Sequence, residues 1–161
     1  MSSFLIDLAT LQSGHNRLEL QEDAAGIDLP AADWVGRVSG ELDVEKTGEQ
    51  ITIRGKLRAV AQLECVRCLK EFEQPIVAAI EVYADRYGSG RHSADESDLE
   101  RDDYMKFHDG RRLDVRDEAR ESLLLELPMA PRCRDHCRGL CPRCGADLND
   151  GDCGCEKTID A

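Results

Sequence analysis

The sequence has few aromatic residues, with three Phe, three Tyr and one Trp among 161 residues. Large core side chains are therefore scarce, and no aromatic platform for stacking nucleic-acid bases is expected. No run approaches the roughly 20 apolar residues that span a bilayer, which excludes a membrane-spanning helix. Positive charge is also in short supply, because 21 Lys and Arg face 33 Asp and Glu for a net charge of −12. This balance excludes a uniformly basic nucleic-acid-binding protein.

The sequence also lacks the common catalytic motifs. It has no P-loop, no Gly-rich dinucleotide fingerprint, no nucleophile elbow and no HExxH. We therefore expect a protein that is not an enzyme and has no small-molecule substrate. The first eleven residues contain no Lys or Arg and have Asp7 within their apolar stretch, unlike an export signal. A cytoplasmic protein without a membrane partner is expected.

Alternating apolar and polar residues predict a β-sheet. Residues 38–44 and 51–63 each alternate with period two, and a Thr-Gly-Glu turn signal separates them. They predict a long antiparallel hairpin with one buried face, and residues 76–82 predict a third strand. Gly40 and Gly55 lie on the apolar face, which indicates a bulge or a close backbone approach.

The other segments of the first hundred residues carry weaker patterns. Residues 4–11 favour an edge strand, and residues 12–34 have no pattern that assigns them. Residues 85–103 contain seven acids, three Arg and few apolar anchors, which predicts a mobile acidic loop. A loop that becomes ordered on a partner is the alternative.

One main helix is predicted near residues 115–127. Asp114 is a good N-cap, and Asp117 three residues later resembles a capping box. Pro128 ends the helix. Its apolar stripe should pack over the sheet, and it consists of Val115, Ala119, Leu123 and Leu127, widened by Leu124. The expected fold is α+β: an antiparallel sheet of hairpin or meander form, with closure into a barrel left open, packed by this helix. Residues 1–130 would form the body and residues 131–161 a cysteine-rich tail.

Eight cysteines are the most informative residues of the chain. They occur as four close pairs: Cys65 and Cys68, Cys133 and Cys137, Cys141 and Cys144, and Cys153 and Cys155. In a reducing cytosol such pairs indicate metal ligands or redox groups rather than disulfides. Zinc takes four tetrahedral ligands, so the eight thiolates predict two zinc sites with four cysteine ligands each. Such sites have no open position for water and are structural.

The spacing also predicts which cysteines share an ion. The four from Cys141 to Cys155 are close in sequence, so little loop entropy opposes their closure around one metal. The other site would then join the pair at Cys65 to the pair at Cys133 and fix the tail to the end of a strand. Disulfides, free thiols, an iron–sulfur cluster and a redox pair at Cys65 and Cys68 are the alternatives. His136 is an alternative ligand.

Two segments of this acidic chain are locally basic. Residues 54–70 have five basic side chains against Glu64, and residues 131–144 have four against Asp135. One explanation is compensation of the −2 charge of a zinc ion held by four thiolates. The other is a surface that contacts phosphates. Its candidate residues for binding RNA or another partner are Arg54, Arg58, Arg67, Arg138 and Arg143.

Three motifs occur in order: CVRCL at 65–69, LDV followed by LLLELP within 113–128, and the cysteine-rich tail at 133–155. Together they resemble the YceD family of large ribosomal RNA subunit accumulation proteins. The resemblance implies a bacterial, cytoplasmic, non-enzymatic factor that supports accumulation of 23S ribosomal RNA and large-subunit assembly. It implies no mechanism.

Two partners are compatible with this resemblance. The protein would bind pre-ribosomal RNA through its arginines, or its acidic surface would hold a basic ribosomal protein as a chaperone does. Genes of the family often neighbour that of a small large-subunit protein, which the chaperone hypothesis would explain. A redox or metal-dependent enzyme is a third alternative, which the lack of a catalytic cluster disfavours.

Overall fold

A computed structural model describes residues 3–86 and 105–155 of the chain. Asp85 and Arg86 lie at the end of a strand, and the rest of the predicted acidic loop, 87–103, lies outside the described residues. No helix among the residues described is long and apolar enough to cross a membrane.

The chain divides into two compact units. The first unit is drawn from Met1–Ala61 and Pro75–Leu127, and the second from Gln62–Gln74 and Pro128–Ala161. The second unit therefore consists of a short internal segment and the C-terminal part of the chain. All eight cysteines belong to the second unit.

β-Strands form most of the regular secondary structure of the described residues. In chain order the strands are β1 (Leu5–Asp7), β2 (Gly14–Asp23), β3 (Trp34–Thr47), β4 (Gln50–Glu64), β5 (Glu71–Arg86), β6 (Met105–His108) and β7 (Arg112–Asp114). Short 3₁₀ helices occupy Leu8–Thr10 and Ala24–Ile27, and the α-helix described, α1, spans Arg116–Leu125.

The strands form two sheets. One contains five strands in the order β2-β3-β4-β5-β6, and the other pairs β1 with β7. The expectation of a purely antiparallel sheet is wrong at one edge, because β6 runs parallel to β5, with Tyr83 opposite Met105. Within the part of the chain that is described, β2 and β6 remain the edges of an open sheet, so no closed barrel forms.

The predicted hairpin is confirmed as β3 and β4. Its register places Thr47 opposite Gln50 and Leu42 opposite Gly55. The predicted close approach is found at Gly55, where an added Cβ would lie 2.1 Å from the carbonyl oxygen of Glu41. Gly40 is also close-packed, since its Cβ would lie 3.0 Å from a methyl group of Leu57. The two glycines therefore allow backbone and side chains to meet where a larger residue would not fit.

The alternating residues of the strands form the core of the first unit. Ile51, Ile53 and Leu57 of β4 are fully buried, whereas the neighbouring Arg54 and Arg58 are exposed. Other buried side chains come from all parts of the unit: Phe4, Leu20, Ile27, Leu29, Trp34, Leu42, Ile80, Leu113 and Leu123. Burial of these side chains stabilises the unit by roughly 25 cal/mol per Å² of apolar surface.

Helix α1 differs in detail from the prediction. Val115 occupies the N-cap position without a side-chain cap bond. The carboxylate of Asp114 instead accepts a hydrogen bond from the backbone N–H of Arg116 at 3.1 Å. Ala119 and Leu123 are buried as expected, with Val115, but the stripe is narrower than predicted. Leu124 is 42% exposed, and the helix ends before residue 127.

Candidate metal centres

Four cysteines of the second unit form one thiol cluster. We call Cys65, Cys68, Cys133 and Cys137 the hairpin cluster, because the first two follow β4. The Sγ atoms of Cys65 and Cys137 are 3.7 Å apart, as are those of Cys68 and Cys133, and all four lie within 4.8 Å of one another. Tetrahedral Zn–S bonds of about 2.3 Å place sulfurs about 3.8 Å apart. The predicted grouping of these two pairs is confirmed.

The other four cysteines form a second thiol cluster. Cys141, Cys144, Cys153 and Cys155, called here the terminal cluster, also have their Sγ atoms within 4.8 Å of one another. Cys141 is buried and Cys144 is exposed. The grouping predicted from their closeness in sequence is confirmed.

A tight turn after β4 orients the first pair of thiols. The backbone N–H of Cys65 donates to the carbonyl of Lys70 at 2.9 Å, and the N–H of Leu69 donates to the carbonyl of Cys65 at 2.9 Å. Leu69 adopts the left-handed conformation, with φ of 60°. Because the backbone turns tightly between Cys65 and Cys68, their sulfur atoms lie close enough together to contact one ion.

The terminal cluster contains a turn of the same form. The N–H of Cys141 donates to the carbonyl of Ala146 at 2.8 Å, and the N–H of Gly145 donates to the carbonyl of Cys141 at 2.9 Å. Gly145, which corresponds to Leu69, has φ of 72°. Both Cys-x-x-Cys segments thus form the same turn, called here the knuckle turn, in which the residue after the second cysteine is left-handed.

Backbone hydrogen bonds join the first turn to the C-terminal part of the second unit. The N–H of Val66 donates to the carbonyl of Pro131 at 2.9 Å, and the N–H of Leu140 donates to the carbonyl of Arg67 at 3.2 Å. Gly139 has φ of 77°, and an added Cβ would lie 3.1 Å from the carbonyl oxygen of Arg67. These contacts bring Cys133 and Cys137 to the turn.

Asn149 contacts the hairpin cluster and is a functional candidate that no motif in the sequence indicated. Its Nδ2 donates to the Sγ of Cys137 at 3.3 Å, and its Oδ1 accepts from the backbone N–H of Arg138 at 2.9 Å. Asp147 accepts from Asn149 and is 2.7 Å from the ammonium of Lys70. The side-chain amide lowers the pKa of the Cys137 thiol, because it stabilises the thiolate.

The thiols of the hairpin cluster differ in pKa, so one of them loses its proton more readily than another. Burial raises the pKa of Cys65, but the surrounding backbone N–H groups, that of Cys68 first, lower it to about 6. The backbone N–H at Lys70 lowers the pKa of Cys68, but burial and the neighbouring thiols raise it to about 12. A divalent cation would favour the thiolate form of all four, because each sulfur would then face a positive charge.

The terminal cluster has the same asymmetry. The backbone N–H groups of Cys144 and Arg143 lower the pKa of Cys141 to about 6. The other three thiols of the cluster, that of Cys153 first, raise the pKa of Cys155 to about 12. One readily formed thiolate in each cluster provides a first ligand for a cation.

The donor sets fit a thiophilic metal. All eight cysteines are unbridged, and 3.7 Å between sulfurs is far longer than a disulfide bond of about 2.05 Å. Either cluster could hold one metal ion. His136 is exposed and belongs to neither cluster.

The candidate RNA-contacting arginines divide between the two units. In the first unit, Arg54 bonds to Glu81 at 3.0 Å and Arg58 to Glu41 at 2.8 Å. Both guanidinium groups lie on the exposed face of the sheet.

The remaining candidates lie in the second unit. Arg67 donates to the carbonyl of Cys137 at 3.0 Å, and Arg138 pairs with Asp152 at 3.0 Å. Arg143 is exposed and lies within the knuckle turn of the terminal cluster. Each of these three arginines is adjacent in sequence to a cysteine of one of the clusters.

Comparison with known families gives a match that includes both clusters. The family model described as "Large ribosomal RNA subunit accumulation protein YceD" matches residues 53–161, which include both clusters. No solved structure matches the chain at a significant level.

Relatives occur in bacteria and in plants. An uncharacterized protein of Mycobacterium tuberculosis H37Rv is 31% identical over 123 residues, 76% of this chain and 57% of that protein. An uncharacterized protein of Mycobacterium leprae is 30% identical over 76% of this chain and 54% of that protein. The chain thus spans little more than half of these relatives. The Zea mays chloroplastic "Large ribosomal RNA subunit accumulation protein YCED homolog 1" is 24% identical over 93% of this chain and 59% of that protein.

Proposed function

Because this chain belongs to the YceD family of large ribosomal RNA subunit accumulation proteins, we propose that it is a non-enzymatic factor for large-subunit biogenesis that supports 23S ribosomal RNA levels. The observation that carries this proposal is the family match, which spans residues 53–161. The names of two plant relatives support a role in the accumulation of ribosomal RNA. Bacterial relatives in mycobacteria are consistent with a cytoplasmic protein.

We assign a structural zinc ion to each thiol cluster. Four sulfurs within 4.8 Å of one another supply a complete tetrahedral set, and zinc prefers such thiolate sets. A set of four cysteines has no ligand position left for water, so the role of each ion is to hold the chain rather than to activate a substrate. Each zinc would supply positive charge that stabilises the thiolates and fixes its knuckle turn.

The partner that we favour is pre-ribosomal RNA. Its candidate contacts are the exposed guanidinium groups of Arg54, Arg58, Arg67, Arg138 and Arg143. Several already pair with carboxylates, but exposed ion pairs are worth only about 0–1 kcal/mol. A phosphate can therefore replace the carboxylate at little cost, and arginine binds phosphate through two parallel hydrogen bonds.

A second candidate function is supported by the charge of the chain. With a net charge of −12, the protein would attract a basic ribosomal protein and repel most RNA surfaces. In this hypothesis the acidic protein holds its partner until the partner joins the assembling subunit. The two hypotheses differ in which macromolecule is retained.

Crosslinking in cells distinguishes the two candidates. The tagged protein is crosslinked, purified and analysed for both bound RNA and bound protein. The RNA hypothesis predicts 23S precursor fragments whose recovery falls steeply with salt, since counterion release drives phosphate binding. A basic ribosomal protein recovered without RNA would support the chaperone hypothesis. Unchanged 23S levels and subunit profiles after removal of the protein would contradict the proposed role itself.

A further inference from the structure

The knuckle turn after β4 exposes two apolar side chains. Leu69 is 56% exposed and Val66 is 52% exposed. Leu69 also occupies the left-handed position that Gly145 takes in the other knuckle. A leucine is disfavoured in that conformation. Because its side chain is exposed, little buried apolar surface offsets this strain. The residue is therefore better explained by contact with a partner than by folding.

Two arginines stand beside this turn. Arg132 and Arg134 flank Cys133, whose Sγ lies 3.7 Å from that of Cys68. Both arginines are exposed, and neither has an ion pair among the residues described, in contrast to Arg138 with its Asp152. No carboxylate of residues 3–86 or 105–155 would have to be released before their guanidinium groups meet a partner.

We propose that Val66, Leu69, Arg132 and Arg134, named here the knuckle surface, bind single-stranded ribosomal RNA. Arg132 and Arg134 would pair with phosphates, and the apolar side chains would pack on the face of an unstacked base. This inference rests on the RNA form of the proposed function and adds a second RNA-contacting surface to the five arginines named there.

Charge selects RNA over the protein partner at this surface. A basic ribosomal protein carries the same sign of charge as Arg132 and Arg134 and would be repelled, whereas RNA carries the opposite sign. The apolar residues select single strands, because a duplex hides the faces of its bases in the stack.

The turn is also rigid enough to present the surface. Three of the four cysteines of the hairpin cluster are buried, and Phe72 and Leu140 pack against them. The Val66 backbone is fixed by its hydrogen bond to Pro131. A surface held in its binding conformation loses less entropy when RNA binds.

Fluorescence anisotropy of the full chain tests the inference, with labelled oligouridylate of about 15 nucleotides and its duplex with oligoadenylate as probes. Leu69→Gly removes the exposed side chain and also relieves the left-handed strain, so the fold should be kept. Arg132→Gln combined with Arg134→Gln removes both cations. Arg17→Gln combined with Arg37→Gln is the matched control, since these exposed arginines lie on the sheet of the first unit. Metal content is measured for every variant.

The wild type should bind the single strand more tightly than the duplex. The double variant of the knuckle surface should lower the slope of log affinity against log salt by about 1.4, since each single-strand phosphate contact contributes about 0.7. Leu69→Gly should weaken binding about tenfold at an unchanged salt slope. Leu69→Gly relaxes the turn and should keep its metal. Its RNA affinity therefore tests the knuckle surface even if the double arginine variant loses metal.

Each contrary result has a separate meaning. If the wild type binds RNA and both knuckle variants bind like the control, the knuckle surface is wrong and the proposed RNA-binding function stands. Equal affinity for single strand and duplex would overturn the base contact. If the wild type binds neither probe nor 23S fragments, the RNA form of the proposed function falls together with this inference.

Discussion

The side-chain amide of Asn149 donates a hydrogen bond to the sulfur of Cys137 over 3.3 Å. Asn149 lies between Cys144 and Cys153 of the terminal cluster, whereas Cys137 belongs to the hairpin cluster. One side chain from the loop of one thiol cluster therefore contacts a sulfur of the other cluster and favours its thiolate form. Loss of order in that loop should weaken the hairpin cluster as well.

Changes at Asn149 should release metal from the hairpin cluster. Asn149→Ala removes the donor to the Cys137 thiolate, and loss of such outer hydrogen bonds typically lowers metal affinity about 10–100-fold. Asn149→Asp keeps the shape but directs a carboxylate at the thiolate, so its effect should be larger. Zinc transfer to a coloured chelator measures both variants. Equal release rates for Asn149→Asp and the wild type would show that the hydrogen bond has no such role.

The two clusters predict two metal ions per chain. Elemental analysis of protein purified without added metal should give a zinc-to-protein ratio near two. Cys68→Ser and Cys144→Ser should each bring the ratio towards one, because the two clusters share no ligand. A visible absorbance typical of an iron–sulfur cluster would contradict zinc, and a ratio near one in the wild type would contradict one of the sites.

Gly55→Ala should severely destabilise the first unit. The new Cβ would lie 2.1 Å from the carbonyl oxygen of Glu41, so β3 and β4 would have to separate. Overpacking of a core typically costs about 1–3 kcal/mol, and a backbone clash should reach or exceed the upper value. Urea unfolding followed by the fluorescence of buried Trp34 measures the free energy of unfolding. In the control, Gly48→Ala, no atom meets the Cβ, and only the left-handed turn conformation costs about 1–2 kcal/mol.

The ion pair between Asp114 and Arg116 at the start of α1 predicts a specific dependence of stability on pH. The guanidinium of Arg116, 2.6 Å from the Asp114 carboxylate, lowers the pKa of that group. A lowered folded-state pKa gives stability that is present above the ordinary aspartate pKa of about 3.9 and is lost as pH falls through the folded value. Asp114→Asn should therefore be less stable than the wild type near neutral pH, and the difference should shrink in acid.

Arg116→Gln provides the matched test, since it removes the same pair from the other side. Trp34 fluorescence during urea unfolding again reports on the first unit, and both variants should show the same flattened acid dependence. A gap between Asp114→Asn and the wild type that stays constant from neutral to acid pH would rule out the pair as its cause.

The sequence predicted those parts of the protein that depend on local pattern. The hairpin of β3 and β4 was predictable because Ile51, Ile53 and Leu57 alternate with polar residues and are buried on one face. The two groups of cysteines were predictable because ligand number and loop length leave one economical pairing.

Other features depend on contacts that the sequence does not encode locally. Strand β2 was missed because it lies at the edge of the sheet and buries few side chains, of which Leu20 is one. The parallel pairing of β6 joins residues far apart in the chain. The capping box at Asp117 was wrong because Asp114 pairs with Arg116 instead. In the sequence Asn149 resembles an ordinary turn residue, and its hydrogen bond to the sulfur of Cys137 becomes evident only in the folded chain.

The separation of the ligands in the hairpin cluster has a consequence for synthesis of the chain. Cys68 and Cys133 lie 65 positions apart, and β5, β6, β7 and α1 are all encoded between them. On the ribosome, Cys65 and Cys68 emerge early and can offer a metal only half of its ligands. The centre is completed only after these strands and the helix have been translated. Binding of one metal ion by all four thiols would therefore require a chain in which the described strands and helix have been synthesised, and in a chain that stops early Cys65 and Cys68 would lack Cys133 and Cys137.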